Sequence, residues 1–114
     1  MMVNNKTRNT PVAFAVLRAD SFKTRLLGLI PRAGLGAEEG LWLEPCAMIH
    51  TCFMSFPIDA VFLDAGLRVL RVCPALKPWR FSPWVYGARG VLELPPGRAA
   101  GRMAPGDILE FIDG

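Results

Sequence analysis

With 114 residues, 52% hydrophobic and 20% charged, the chain has the composition of one folded globule with a modest core, and an extensively disordered protein is excluded. No run approaches the ~20 apolar residues that span a bilayer, which excludes a transmembrane helix, and the polar stretch Met1 to Thr10 is no secretory h-region, so the cytoplasm is the expected compartment. The net charge of +3 is modest but unevenly spread: Ala33 to Gly66 holds no Lys or Arg, whereas Leu67 to Arg102 holds seven basic residues and one acid. Such an arrangement suits an anionic ligand or an acidic partner, although charge blocks are more often solvated faces. Cys46, Cys52 and Cys73 are odd in number and lack paired CxxC spacing, so reduced thiols are expected rather than a disulfide framework or a structural zinc site.

In chain order, residues 1–11 read as a flexible tail and 12–114 as a single domain. Val12 to Arg18 has strand character. Asp20 or Ser21 can cap a short helix over 21–30, because Phe22, Leu26, Leu29 and Ile30 recur on one helical face, and Pro31 ends it. Leu41 to Glu44 reads as a strand after a Gly-rich loop. Residues 48–53 and 58–64 read as a hairpin, with Pro57 in a loop over 54–57. In that register Phe53 pairs with Ile58, Cys52 with Asp59 and His50 with Val61. His50, Cys52 and Asp59 then share a face with Met48, Val61 and Leu63. Asp64-Ala-Gly66 makes a tight turn into a strand over 67–72. Three prolines, Pro74, Pro78 and Pro83, predict an extended, irregular connection. Gly90 to Leu94 and Ile108 to Ile112 read as strands, and 97–102 as a short helical turn. The expected fold is mainly β (α+β): a small β-barrel or sandwich-like domain with one short helix near the N-terminus.

Several blocks in order carry a family resemblance: Arg25-Leu-Leu-Gly-Leu29, Ile49-His-Thr with Met54, Phe56-Pro-Ile-Asp-Ala-Val-Phe-Leu-Asp64, Pro78-Trp-Arg80, Leu92-Glu-Leu-Pro-Pro-Gly97 and Gly106-Asp107. Over about residues 12–112 the chain resembles the bacterial and archaeal domain of unknown function 192 family. The resemblance implies a compact, mostly β domain and brings no established activity; some members look exported. Cys52 and Phe53 depart from the aromatic-glycine pair usual before the methionine.

Chemistry concentrates between Met48 and Asp64, which holds the sole histidine. Cys46, His50, Cys52 and Met54 are soft donors suited to Cu(I) or Zn, yet buried Cys and Met normally fill cores, and one histidine does not complete a zinc set. A thiolate enzyme would use Cys52 with His50 as base, but residues two apart on a strand stand about 7 Å apart, long for direct contact. Asp59, flanked by apolar residues, needs a cation or several N–H donors to stay ionised, and Arg80 in its proline-stiffened loop is the preferred cation, with Arg25 as another. Lys77 to Arg89 interleaves bases and aromatics as a single-strand nucleic-acid platform would. Three basic residues in thirteen are few, however, and aromatics beside prolines ordinarily pack a loop onto a sheet, so nucleic acid is not expected. The reading is therefore a binding or accessory module rather than an enzyme. Its candidate pocket is His50, Met54, Asp59, Arg80 and Arg25, its partner a small molecule or protein, and no cofactor is expected. The competing reading is a Cu or Zn protein or cysteine-dependent enzyme using His50 and Cys52.

Overall fold

A computed structural model describes residues 1–19, 34–52 and 54–113. Eight strands are present among them: β1 (Met2–Asn5), β2 (Thr10–Ala13), β3 (Ala15–Ala19), β4 (Glu39–Leu43), β5 (Ile58–Leu63), β6 (Val69–Leu76), β7 (Gly90–Leu94) and β8 (Leu109–Ile112). They form a three-stranded sheet of order β2-β1-β8 and a five-stranded sheet of order β3-β4-β7-β5-β6. Only β3 and β4 pair in parallel; the other ladders are antiparallel.

Residue type explains strand position. β5 and β7 are buried at every residue, and their near-continuous apolar runs suit strands covered on both faces. β7 carries Gly90 where an ideal Cβ would lie 2.5 Å from the ring of Trp42, so the absent side chain makes room for the indole. β6 is an edge strand and tolerates Pro74 at a bulge, where Ala60 faces Cys73 and Ile58 faces Leu76. The turn expected at Asp64 is present: its Oδ1 accepts the N–H groups of Gly66 and Arg68, each at 2.9 Å, as an Asx turn does.

The five-stranded sheet carries a core on each face. On one side Trp42, Val61, Leu63, Leu92 and Leu94 meet Val3, Val12 and Leu109 of the small sheet, together with Ala99 and Met103. On the other, Leu41, Ile58, Ala60, Phe62 and Val91 are covered by Ile49, Met54 and Val85 from two long loops. The small sheet is joined to the large one at its corners, where Val16 N–H donates to Met1 O (2.8 Å) and Leu109 N–H to Leu67 O (2.9 Å). It is pinned by Asp107, whose Oδ2 accepts from Asn5 Nδ2 (3.0 Å) and Ala104 N (3.0 Å) and meets Arg8 Nε at 2.6 Å. The Asn5 hydrogen bond above all, helped by Ala104 and Arg8 and opposed by burial, holds the Asp107 carboxyl below its ordinary value.

These findings correct the expected fold. Neither sheet closes into a barrel: β3, β6, β2 and β8 are edges among the described residues, and no helix occurs there. The barrel or sandwich-like domain with an N-terminal helix is thus replaced by two open sheets and a loop layer, and the helix placed at 21–30 lies outside the described residues. Residues 1–11 are not a flexible tail. β1 is the central strand of the small sheet, with Val3 and Asn5 buried and the Asn5 amide satisfied by Arg102 O at 2.8 Å as well as by Asp107. Among the described residues the 48–53/58–64 hairpin is not formed, because both edges of β5 are taken by β6 and β7.

Candidate functional site

Residues 47–51 run instead against the proline-rich segment 79–85. Val85 N–H donates to Ala47 O (2.9 Å), Ser82 N–H to Ile49 O (2.9 Å), Thr51 N–H to Arg80 O (2.8 Å) and Trp79 N–H to Thr51 O (3.0 Å). Two side chains complete this irregular ladder. Ser82 Oγ accepts from Ile49 N–H at 3.0 Å, and the Thr51 hydroxyl donates to Lys77 O while accepting Arg80 N–H at 2.9 Å. Thr51, Ile49, Ser82 and Val85 face inward and are buried. With those positions inside, the intervening ones turn to solvent: Met48 and His50 on one segment, and on the other Trp79 at 57% exposure, Phe81 at 66%, Trp84 at 69% and Tyr86 at 94%. His50 and Phe81 rings lie 6.0 Å apart between centroids. The outcome is an aromatic surface on a backbone fixed from beneath.

The predicted site residues do not converge. Met54 is buried in the core below this layer, whereas His50 and Arg80 are exposed on its outside. Asp59 is fully buried on the opposite face of the large sheet, the face of Val61 and Leu63. Its Oδ1 accepts Ala75 N–H (2.8 Å) and Gly97 N–H (3.2 Å), and its Oδ2 accepts Ala99 N–H (2.9 Å). The N–H donors that a buried carboxylate needs are thus supplied by backbone, and the expected pairing with Arg80 is corrected: the sheet stands between them. The nearest bond of the Arg80 guanidinium runs from Nη1 to Trp79 O at 3.3 Å. Arg25 lies outside the described residues.

The soft donors are likewise dispersed. The Cys46 thiol donates to Met48 O at 3.1 Å, and His50 Nδ1 accepts Cys52 N–H at 3.2 Å, which spends the nitrogen a base or ligand would use toward that side. Among the described residues no group of three or more His, Cys, Asp and Glu side chains could hold a metal ion, and Cys46, Cys52 and Cys73 form no disulfide.

One residue escaped the sequence reading. Glu93 in β7 is opposite Leu41 and Ala60, so it points into the core beneath the loop layer. Its Oε2 has no hydrogen-bond partner among the described residues, and burial pushes its pKa up to about 8, so near neutral pH it is held as a neutral acid. The signal was an acid set between Leu92 and Leu94 in a five-residue apolar strand.

A model of the DUF192 family, described as an uncharacterized ACR, matches residues 3–111. The chain belongs to the domain of unknown function 192 family. Within this family it is 39% identical over 99 residues to a UPF0127 protein of Pyrococcus horikoshii, covering 84% of this chain and 85% of that one. A UPF0127 protein of Pyrococcus furiosus is 34% identical over 117 residues, covering 94% and 95%. Among solved structures, a protein of unknown function from Novosphingobium aromaticivorans superposes with TM-score 0.83 at 26% identity, covering 96% of this chain and 82% of that one. The fold described above is therefore shared with an experimental structure. No helix among the described residues is long and apolar enough to cross a membrane.

Proposed function

We propose that this DUF192 protein is a binding or accessory module, and that its partner meets the outer face of the layer formed by residues 46–52 and 77–89. One observation carries the reading: Trp79, Phe81, Trp84 and Tyr86 stand more than half exposed within eight residues, on a segment tied to 47–51 by the N–H groups of Trp79, Ser82 and Val85 and the C=O of Arg80. Exposed aromatic clusters of this kind carry a hydrophobic cost in water and mark interaction surfaces. Rigid backing lowers the ordering entropy a partner must offset on binding. His50 and Arg80 border the rings and supply polar contacts; Asp59 is assigned to the fold.

The test is photo-crosslinking in cells producing the full chain, with a benzophenone side chain in place of Tyr86. A discrete adduct is expected, lost when Trp79→Ala and Trp84→Ala are combined in the same chain. The same probe in place of Leu17, an exposed residue of β3, should give none. Equal adducts from both positions, or none from either, would overturn the proposal.

A further inference from the structure

We infer that the partner of this face is a single strand of nucleic acid, its bases stacking on the exposed rings and its phosphates meeting the cations around them. This rests on the reading above and names the chemistry of its ligand. One of the two sequence arguments against nucleic acid, beside the small number of basic residues in 77–89, is that Trp79, Phe81, Trp84 and Tyr86 would pack onto the sheet. Their exposure, from 57% to 94%, removes it, since the sheet is covered instead by Ile49, Met54 and Val85.

Charge supports the same occupant. Arg71, Lys77 and Arg80 are exposed, and Arg71 is the cross-strand neighbour of Phe62, on the sheet face that the loop layer covers. Arg89 lies at the layer's rim, 3.9 Å from Glu44. Residues 45–57 and 65–92 contain no acid at all, so a phosphate strand crossing them meets no repelling carboxylate of those segments. Base faces stack on aromatic rings whatever their sequence, and backbone phosphates are attracted by such cations.

The ligand is single-stranded because protruding rings need unstacked bases, which a duplex does not offer without being opened. An acidic peptide fits less well. A peptide added as a strand needs unpaired backbone, yet Trp79, Ser82 and Val85 already donate their N–H groups to 47–51.

Binding of the full chain to fluorescein-labelled oligothymidylate and oligouridylate of about 12 nucleotides is read by anisotropy, with a matched duplex and polyglutamate as competitors. Single strands should bind and quench tryptophan fluorescence. Trp84→Ala and Tyr86→Ala should each weaken binding roughly tenfold. Lys77→Ala and Arg80→Ala should each reduce the log–log salt slope by about 0.7, and Leu17→Ala should change nothing. Because the replaced rings are exposed, their loss leaves the core intact. No binding at low salt, or binding indifferent to the aromatic substitutions, overturns the inference. Polyglutamate competing as well as the oligonucleotides also overturns it, but leaves the surface reading standing. So does a cross-link from position 86 that survives nuclease. Absence of any specific cross-link from position 86, with or without nuclease, brings down both.

Discussion

Two buried acids, Asp59 and Glu93, are neighbours across β5 and β7 and yet behave oppositely, because their carboxylates leave the sheet on opposite faces. Asp59 receives three backbone N–H bonds that tie the β6 bulge to the 97–99 turn. Asp59→Asn keeps the shape but sets an amide N–H₂ against one of those donors. It should lower unfolding free energy by roughly 1 to 3 kcal/mol, seen as a lower urea midpoint at unchanged slope. Glu93 has no such donors at Oε2. Its folded pKa, about 8, lies above the ordinary 4.5, so between those values the folded protein holds a proton that the unfolded chain has released. Glu93 therefore opposes folding least below about pH 4.5, and its contribution worsens as pH rises to about 8, a total loss on the order of 5 kcal/mol, whereas Asp107, held below its ordinary value, weakens the fold in acid. Glu93→Gln should remove that decline, so variant and wild type converge in acid and separate toward alkaline pH, the variant being more stable. Parallel pH curves from urea melts would refute the assignment.

At the scale of elements, the loop layer depends on Thr51 as the sheet depends on its ladders. Thr51→Val preserves volume and leaves Lys77 O and Arg80 N–H without their side-chain partner. Hydrogen exchange of the Trp79 and Arg80 amides should accelerate by roughly 5- to 150-fold, the equivalent of losing about 1 to 3 kcal/mol, while β7 amides stay protected. A uniform change across both would show that the layer does not open separately. Strand composition made β4, β7 and β8 legible to within two residues, and β5 as well, since each is a compact apolar run bounded by turn residues. Residues 48–53 looked equally strand-like, and the error lay in the partner. Pairing is decided by which edges remain open, and the segment that bonds to 47–51, residues 79–85, contains Pro83 and reads as irregular. β1 was missed because its polar Asn4 and Asn5 mask a strand whose inward asparagine is hydrogen-bonded.

For the molecule as a whole, the decisive arrangement is a sheet covered on both sides, by a second sheet on one face and by loops on the other. Period-two alternation correctly grouped Asp59 with Val61 and Leu63, but a sequence does not say which layer lies over which face, so His50 and Arg80 were joined to Asp59 across a sheet that separates them. Exposure of the aromatic loop was illegible for the same reason: four rings beside prolines fit an inward and an outward path equally until Ile49, Met54 and Val85 are seen occupying the inward one. The small sheet also orders events in time. Its middle strand, β1, leaves the ribosome long before its neighbour β8. Until then Val3 lacks part of its cover and β1 offers an open row of N–H and C=O groups. A nascent chain therefore carries a sticky strand until β8 has been made, and the polar Asn4 and Asn5 that disguise β1 in the sequence lower its appeal to other chains while it waits.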